Sequence, residues 1–300
     1  MELSIIIVNY NTKNLLLKCL NSITSSLKDA KLVYEIIIID NGSKDESVQQ
    51  IKDQSASWQT KNKSHEEKIK IIQNQKNAGF GKANNQGVKI AKGEYLLFLN
   101  TDIEVLDDGV WKLFQFIKNN SSVSAAGGKL YNEDQSEQFS CGSFFDLPVV
   151  FASLFLKGDK IGLTRYSPVE ERKVDWVSGS CLIVRKKDFQ ELTGFDERIF
   201  MYMEEVDLLF RAKKKGYLTY FYPEAKFIHL GAATSKNLTD PILNIYEGFL
   251  YFYKKHKSKN ELVILKIMLK LKAKISYFIG TISKSSYLTQ TYAKAYKLVG

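Results

Sequence analysis

Three short apolar segments, each ending in a polar turn, constrain the fold of this chain more than any other feature. They run from Leu3 to Val8, from Glu35 to Ile39 and from Glu94 to Leu99. Continuous apolar runs of this length are typical of strands buried on both faces of a parallel sheet. Helical patterns follow the first two strands. The sequence therefore predicts an α/β fold with a mostly parallel sheet flanked by helices.

The polar turns contain two aspartates that are candidates for a ligand site. Asp40 lies in the turn Asp40–Ser43 and Asp102 in Asn100–Asp102. Open α/β sheets bind ligands beyond the carboxyl ends of their strands, where both residues are expected to converge. Asp40 suits a base or ribose, or caps the helix near Lys44. Asp102 suits Mg²⁺ or Mn²⁺ bound to a diphosphate, or an ordinary aspartate turn.

Three further sets of polar residues have both a functional and a purely structural interpretation. Lys82 lies in the glycine- and amide-rich segment Asn77–Asn85, which suits an anion at a helix start or forms a structural turn. Glu204 and Glu205 are either a general base and its neighbour or a solvated helix N-terminus. His229 is either a metal ligand or a polar residue at a strand end.

The distribution of charge separates the C-terminal segment from the rest of the chain. The formal net charge is +10, and residues 254–300 contain eleven lysines against the single acid Glu261. Between Leu262 and Ile279, lysines occupy one helical stripe beside a broad apolar face. This pattern indicates a helix that either lies in an anionic lipid interface or packs on the catalytic domain with its lysines outward. A nucleic-acid partner is disfavoured, because the basic positions are interleaved with apolar ones and arginine is scarce.

The boundaries and compartment follow from composition. We expect a catalytic domain at residues 1–243 and a helical, lysine-rich extension at residues 244–300, with a solvated insertion at residues 53–68. The three cysteines fit neither a disulfide framework nor a zinc site. The sequence shows no signal peptide and no apolar stretch long enough to span a bilayer. A cytoplasmic protein is expected.

The order and spacing of these motifs resemble family 2 glycosyltransferases, especially the rhamnosyltransferase-like branch. The resemblance covers about residues 3–235. It rests on Ser4–Asn11 (SIIIVNYN), Asp40–Ser43 (DNGS), Asn77–Gly81 (NAGFG), Leu99–Asp102 (LNTD), Trp176–Arg185 (WVSGSCLIVR), Gly194–Glu197 (GFDE) and Tyr202–Leu208 (YMEEVDL). Two departures are the metal motif, which lacks a leading aspartate, and the base pair, which reads Glu-Glu.

The resemblance implies a Rossmann-like GT-A fold and assigns a role to each candidate residue. Glu205 takes the position of the catalytic base and Glu204 precedes it. Asp102 and His229 are the expected ligands of a divalent metal, Mg²⁺ or Mn²⁺. The donor side is expected to comprise Val8, Tyr10, Asp40, Lys82, Thr101 and Asp102. The acceptor side is expected to comprise Trp176, Gly179, Ser180 and Asp196.

The function implied is inverting, non-processive transfer of one sugar, expected to be rhamnose, in cell-envelope polysaccharide or glycan biosynthesis. The partners would be a nucleotide-diphosphate-sugar donor and a glycan or lipid-linked acceptor, at the inner face of the membrane. The alternatives are a catalytically inactive nucleotide-sugar-binding or scaffolding protein of the same fold, and a nucleotidyltransferase. The latter is disfavoured because Asn9-Tyr10-Asn11 stands where its glycine-rich loop would follow the first strand.

Overall fold

The architecture is a ten-stranded sheet with helices on both faces and three helices at the C-terminal end. A computed structural model describes residues 1–53, 68–231 and 239–300. Most of the expected insertion at residues 53–68 lies outside these ranges. The main strands are β1 (Leu3–Asn9), β2 (Tyr34–Asp40), β3 (Lys68–Gln73), β4 (Tyr95–Asn100), β5 (Ile103–Val105), β6 (Val123–Tyr131), β7 (Glu137–Gln138), β8 (Cys141–Gly142), β9 (Arg165–Tyr166), β10 (Arg172–Val174), β11 (Trp176–Val177), β12 (Cys181–Arg185) and β13 (Leu218–His229).

The helices alternate with these strands in the first half of the chain and dominate its end. They are α1 (Lys13–Leu27), α2 (Phe80–Ile90), α3 (Gly109–Asn119), α4 (Leu147–Phe155), α5 (Lys186–Glu191), α6 (Glu204–Lys214), α7 (Thr239–His256), α8 (Lys259–Ile282) and α9 (Ser286–Leu298). A small second sheet has the order β11-β8-β9.

The order of the main sheet confirms the predicted α/β fold. The path is β10-β13-β6-β12-β4-β1-β2-β3, and β1 is parallel to both β2 and β4. The segment from Trp176 to Arg185 is not one strand but two, because Ser178–Ser180 turns the chain from the small sheet into the large one. β12 then runs antiparallel to β4 and β6, so the sheet is mixed at this side.

Alternating side chains of the central strands bury both faces of the sheet. Ile5 and Ile7 of β1 pack in a cluster with residues of α1 and α3, whereas Ile6 packs in the cluster on the other face. Successive side chains of a strand point to opposite faces, so a continuous apolar run requires cover on both. Ile6 lies within van der Waals reach of Gly87 in α2, where a Cβ would come within 2.8 Å of it. Close packing of α2 thus depends on this glycine.

The C-terminal helices pack on the catalytic half instead of standing apart from it. α7 crosses the expected boundary between residues 243 and 244, and it buries Phe252 and Tyr253 completely. The Tyr253 hydroxyl donates a hydrogen bond of 2.8 Å to the Phe145 carbonyl. α8 buries Leu265, Leu269 and Ala273 on one side and exposes large apolar residues on the other. Among the described residues, no helix is both long and apolar enough to cross a membrane.

A buried charge cluster joins α7 to α6. The Asp207 carboxylate accepts hydrogen bonds from Lys255 at 2.6 Å and Arg211 at 2.8 Å, and its Oδ1 lies 2.7 Å from His256 Nε2. Burial alone would raise the pKa of Asp207, but His256, Arg211 and Lys255 together hold that pKa below its ordinary value. Lys255 also donates to Asp196 at 2.7 Å. This cluster fixes the position of the helix that carries Glu204 and Glu205.

We expect Asp207→Asn to lower the free energy of unfolding by about 3 kcal/mol, because it leaves partly buried cations without their partner. Because the pKa of Asp207 is lowered in the folded protein, its stabilisation is complete above the ordinary carboxyl pKa. It is lost as the pH falls through the lowered value. Urea unfolding at several pH values measures both effects. Glu191→Gln, which removes an exposed ion pair with Lys215, is the control and should leave stability almost unchanged.

Candidate active site

The centre of the site is the pair formed by Asp102 and His229. Asp102 follows β4, and the antiparallel pairing of β5 with β13 places His229 opposite Ile103. The His229 Nε2 atom lies 3.4 Å from Asp102 Oδ1. Asp102 is 5% exposed, so its carboxylate is shielded from bulk water on most sides. Two residues separated by more than a hundred positions therefore form one polar centre.

Gln138 fixes the orientation of the His229 ring. Its amide nitrogen donates to Asn132 Oδ1 at 2.8 Å and to the His229 carbonyl at 3.2 Å, so its Oε1 faces the ring. That oxygen lies 2.6 Å from His229 Nδ1. An amide oxygen only accepts hydrogen bonds, so Nδ1 carries the hydrogen. In the neutral imidazole, the Nε2 lone pair then points towards the Asp102 carboxylate.

These residues fit a divalent cation. A carboxylate oxygen and an imidazole lone pair that face each other can both bind a cation. The other ring nitrogen of a metal-bound histidine usually donates a hydrogen bond to an oxygen acceptor, as His229 Nδ1 does to Gln138. Within the described ranges, no group of three or more His, Cys, Asp and Glu side chains forms a metal cage. Mg²⁺ and Mn²⁺ sites with few protein ligands are completed by substrate phosphates and water.

The expected nucleotide side lies at the carboxyl ends of β1 and β2. The strand register sets Asn9 beside Asp40, and Val8 beside Asn100. Tyr10 follows β1 and is 46% exposed. Asp40 is buried and already accepts hydrogen bonds from the Asn9 amide at 2.8 Å and the Ser43 backbone N–H at 3.1 Å. The predicted convergence of Asp40 with the turn at Asn100–Asp102 is present.

Two more of the expected donor-side residues occupy different surroundings. Thr101 Oγ1 lies 2.9 Å from Thr12 Oγ1, which ties the turn after β4 to the start of α1. Lys82, in the first turn of α2, is exposed and lies 3.6 Å from Glu197. Its side chain is therefore directed towards the segment before α6.

The two glutamates begin α6 but face different neighbours. Glu204 is buried, and its Cβ lies 3.7 Å from the point that a Cβ of Gly81 would occupy. Glu205 is partly exposed and packs against Gly179. Its Cβ lies 3.4 Å from the point that a Cβ of Gly179 would occupy. Each has a buried Oε2 atom without a hydrogen-bond partner in the described chain. Burial raises the pKa of both carboxyls, and the charge of Glu205 raises that of Glu204 further.

Tyr202 connects the glutamates with the Asp102–His229 centre. The backbone of Tyr202 is in the left-handed region, with a φ of 67°. Burial raises the pKa of its hydroxyl, and the charges of Glu204, Asp102 and Glu205 raise it further. All three carboxylates therefore lie within electrostatic range of one phenol hydroxyl, and we call the region around Tyr202 the cleft.

The expected acceptor-side residues are divided between the cleft and the protein interior. Gly179 lies against Glu205, and Ser180 Oγ lies 2.8 Å from Ser178 Oγ in the same turn. Trp176 is buried, and its Nε1 donates to the Ser143 carbonyl at 2.8 Å. Asp196 accepts hydrogen bonds from three side chains: Arg198, Tyr251 and Lys255. Tyr251 and Lys255 belong to α7, so Asp196 links the cleft wall to the C-terminal helices.

Arg165 is a site residue that sequence reasoning missed. Its guanidinium lies 5.3 Å from the Trp176 ring centroid, and its charge lowers the pKa of Glu205. Its Nε is buried without a hydrogen-bond partner among the residues that the structure describes. Arg165 belongs to a two-residue strand in an irregular stretch, so no periodic pattern marked it.

Solved structures of known glycosyltransferases share this fold. Staphylococcus aureus TarS matches 100% of this chain and 80% of its own, with a TM-score of 0.57 and 16% identity. The mannosyltransferase PcManGT from Pyrobaculum calidifontis, in complex with GDP-Man and Mn²⁺, matches 98% of this chain and 73% of its own, with a TM-score of 0.58 and 14% identity. These similarities show the GT-A fold, as expected.

Curated relatives are rhamnosyltransferases and a hexosyltransferase. The N-acetylglucosaminyl-diphospho-decaprenol L-rhamnosyltransferase of Mycobacterium tuberculosis is 54% identical over 59 residues, 20% of this chain and 19% of its own. Rhamnosyltransferase WbbL of Escherichia coli is 30% identical over 50% of this chain and 60% of its own. The Haloferax volcanii hexosyltransferase Agl10 is 26% identical over 72% of this chain and 62% of its own. The match thus spans less than two thirds of each relative's length.

The family match covers most of the main sheet and ends before the segment that carries Tyr202, Glu204, Glu205 and His229. The family described as Glycosyl transferase family 2 matches residues 4–193, which include Asp40, Asp102, Arg165 and Gly179. The strand order and the relatives agree with it. This chain belongs to glycosyl transferase family 2.

Proposed function

We propose that the protein is an inverting, non-processive hexosyltransferase that moves one sugar from a nucleotide-diphosphate-sugar to an acceptor hydroxyl. The observation that carries the proposal is the oriented His229 3.4 Å from Asp102, with Asp102 and Glu205 both within electrostatic range of the Tyr202 hydroxyl. One side of this cleft has donor atoms for a cation, and the other has a carboxyl with a raised pKa. Inverting transfer requires these two functions and no enzyme nucleophile.

Each residue has a defined task in a single displacement. Glu205 accepts the proton of the acceptor hydroxyl while the oxygen of that hydroxyl forms the new bond to the anomeric carbon. The bond from that carbon to the diphosphate breaks, and the nucleoside diphosphate leaves with the electron pair. A divalent cation bound by Asp102 and His229 would neutralise the diphosphate charge. The partly exposed Glu205, and not the buried Glu204, is the base in this proposal, because the base must reach the acceptor.

The substrate classes follow from the relatives, whose names include a diphospho-decaprenol acceptor and L-rhamnose. We infer a rhamnosyl donor and a glycan or lipid-linked acceptor in cell-envelope polysaccharide assembly. A lipid-linked acceptor places the enzyme at the inner face of the membrane. Val8, Tyr10, Asp40 and Thr101 line the nucleotide side in this proposal, and Lys82 stands at its edge.

The proposal is tested by incubating the full chain with a panel of nucleotide-sugars and Mn²⁺ or Mg²⁺. The readouts are released nucleoside diphosphate and transfer to glycan and lipid-linked acceptors. We expect selective turnover of one donor, loss of turnover on chelation and inversion at the anomeric carbon of the product. Nucleotide-sugar binding without turnover of any donor would instead support the inactive binding-protein alternative.

We expect Gln138→Leu to weaken metal binding about 10–100-fold, because the His229 ring loses the acceptor that fixes its tautomer. Gln138→Glu keeps an acceptor oxygen at the same point and is the matched control, with a much smaller loss. Titration of Mn²⁺ in the presence of nucleoside diphosphate, followed by electron paramagnetic resonance, measures affinity without relying on turnover. Equal affinities of the two variants would show that Gln138 does not act through His229.

A further inference from the structure

The exposed side of α8 carries a continuous apolar stripe. Its members recur at intervals of three or four residues, which places them on one helix face. They are Ile264, Ile267, Leu271, Ile275, Phe278 and Ile282. Ile267, Phe278 and Ile282 are 61%, 64% and 68% exposed. The opposite face of the same helix is buried in the protein, so packing on the catalytic half leaves the stripe uncovered by any described residue.

Lysines flank this stripe on both sides. At 3.6 residues per turn, Lys270 and Lys274 lie along one edge and Lys272 lies along the other. Lys270 and Lys274 pack their ammonium groups 5.7 Å and 5.5 Å from the Tyr296 ring centroid of α9. The flanking charge is therefore held in place by the neighbouring helix. An apolar face edged by lysines matches the interface of an anionic bilayer, with acyl chains beneath charged headgroups.

A second apolar element adjoins α8. α4 packs on α8 and exposes Phe151, and the chain that follows it exposes Leu156, Ile161 and Leu163. Asp159 and Lys157 lie within electrostatic range of Lys272 of α8, in agreement with the packing of α4 on that helix. Single exposed apolar residues are ordinary on protein surfaces, but two adjoining elements form a patch that marks an interaction surface.

We propose that α8 and the segment from residues 151 to 163 form one docking surface for an anionic lipid bilayer. A second copy of this chain is the less suitable occupant, because the flanking lysines of two copies would face each other. Residues 254–300 carry eleven lysines and one glutamate, and such like charges oppose self-association. The same charges attract anionic headgroups over about a Debye length.

The position of this surface suits delivery of the acceptor to the active site, an inference that rests on the proposed transfer to a lipid-linked acceptor. Leu163 lies two residues before Arg165, whose charge acts on Glu205. β9 with Arg165 pairs with β8, and β8 pairs with β11 at Trp176. The segment from residues 151 to 163 thus leads directly into the strand that carries Arg165, on the proposed acceptor side. A bilayer bound there would present acceptor headgroups to the base and keep the donor side open to water.

The test is flotation of the purified full chain with vesicles of phosphatidylcholine, with or without phosphatidylglycerol. We expect binding to the anionic vesicles that weakens as salt rises. Ile267→Glu and Leu163→Glu, one on each element, should each lower this binding about tenfold or more, because a charge replaces an exposed apolar side chain that would enter the bilayer. Lys274→Glu should weaken binding to anionic vesicles alone. Val33→Glu, at an apolar residue that is 47% exposed and directly precedes β2, is the control.

Two outcomes would overturn the surface. One is unchanged vesicle binding in both Ile267→Glu and Leu163→Glu while circular dichroism shows intact folding. The other is a concentration-dependent dimer, seen by sedimentation without lipid and abolished by these substitutions, which would assign the stripe to a second copy. Donor hydrolysis measured without vesicles separates this result from the proposed function. A variant that hydrolyses the donor normally but does not float with vesicles has lost docking alone. A chain that floats with vesicles but hydrolyses no donor contradicts the proposed function and supports the docking surface.

Discussion

Glu205→Gln is expected to lower sugar transfer by about 10²–10⁴-fold, the contribution typical of a positioned general base. The amide has nearly the same shape, so donor and acceptor binding should remain. Glu204→Gln is the matched control one residue earlier. Glu204 is buried against the start of α2, so its replacement should cost about tenfold or less in transfer. It should also stabilise the fold, since an amide cannot carry the charge that burial disfavours.

The same carboxyl predicts the pH dependence. Burial raises the pKa of Glu205, so the base form is present only at a higher pH than for an ordinary glutamate. Transfer should therefore fall as the pH decreases through that raised value, and this acidic limb should be absent from the residual activity of Glu205→Gln. Equal losses from Glu204→Gln and Glu205→Gln, or an unshifted acidic limb, would contradict the assignment of the base.

Asp102→Ala is expected to lower turnover about a thousandfold, because the diphosphate leaving group loses the cation that neutralises its charge. The loss should extend to Mn²⁺-dependent binding of the nucleoside diphosphate, measured by calorimetry. Asp108→Ala removes a nearby exposed carboxylate that pairs with Lys112, and it should leave both quantities unchanged. Full activity of Asp102→Ala in the presence of a chelator would show that the cleft operates without a metal bound at this residue.

Much of the fold could be predicted from local patterns. The strands beginning at Leu3, Tyr34 and Tyr95 are continuous apolar runs, and each one is buried on both faces of the sheet. The turn after each strand places Asp40 and Asp102 at one edge, because parallel strands end together. Strand direction was harder to predict. β12 lies antiparallel between β4 and β6, and nothing in its apolar sequence distinguishes the two directions.

The motifs also indicated the centre of the site but not its supports. Gln138 and Arg165 lie in two-residue strands, far along the chain from the residues that they affect. Asp207 shares the acidic run of Glu204 and Glu205, yet it is an ion-pair partner of α7 and does not face the cleft residues. Glu204, Glu205 and Asp207 are close together in the sequence, yet their carboxylates lie in three different environments. The reason is that successive residues of a helix point in different directions.

The sequence by itself determined the period of each element, and therefore the sheet, the helices and the edge at which the aspartates meet. Only the tertiary structure decided which face of α8 packs on the protein and which remains exposed, because both faces are apolar and the choice depends on its neighbours. Only the tertiary structure brought Gln138 to His229 and Lys255 to Asp207. Local propensity and periodicity act within a few residues, whereas these contacts depend on packing between distant segments, whose geometry no single segment encodes.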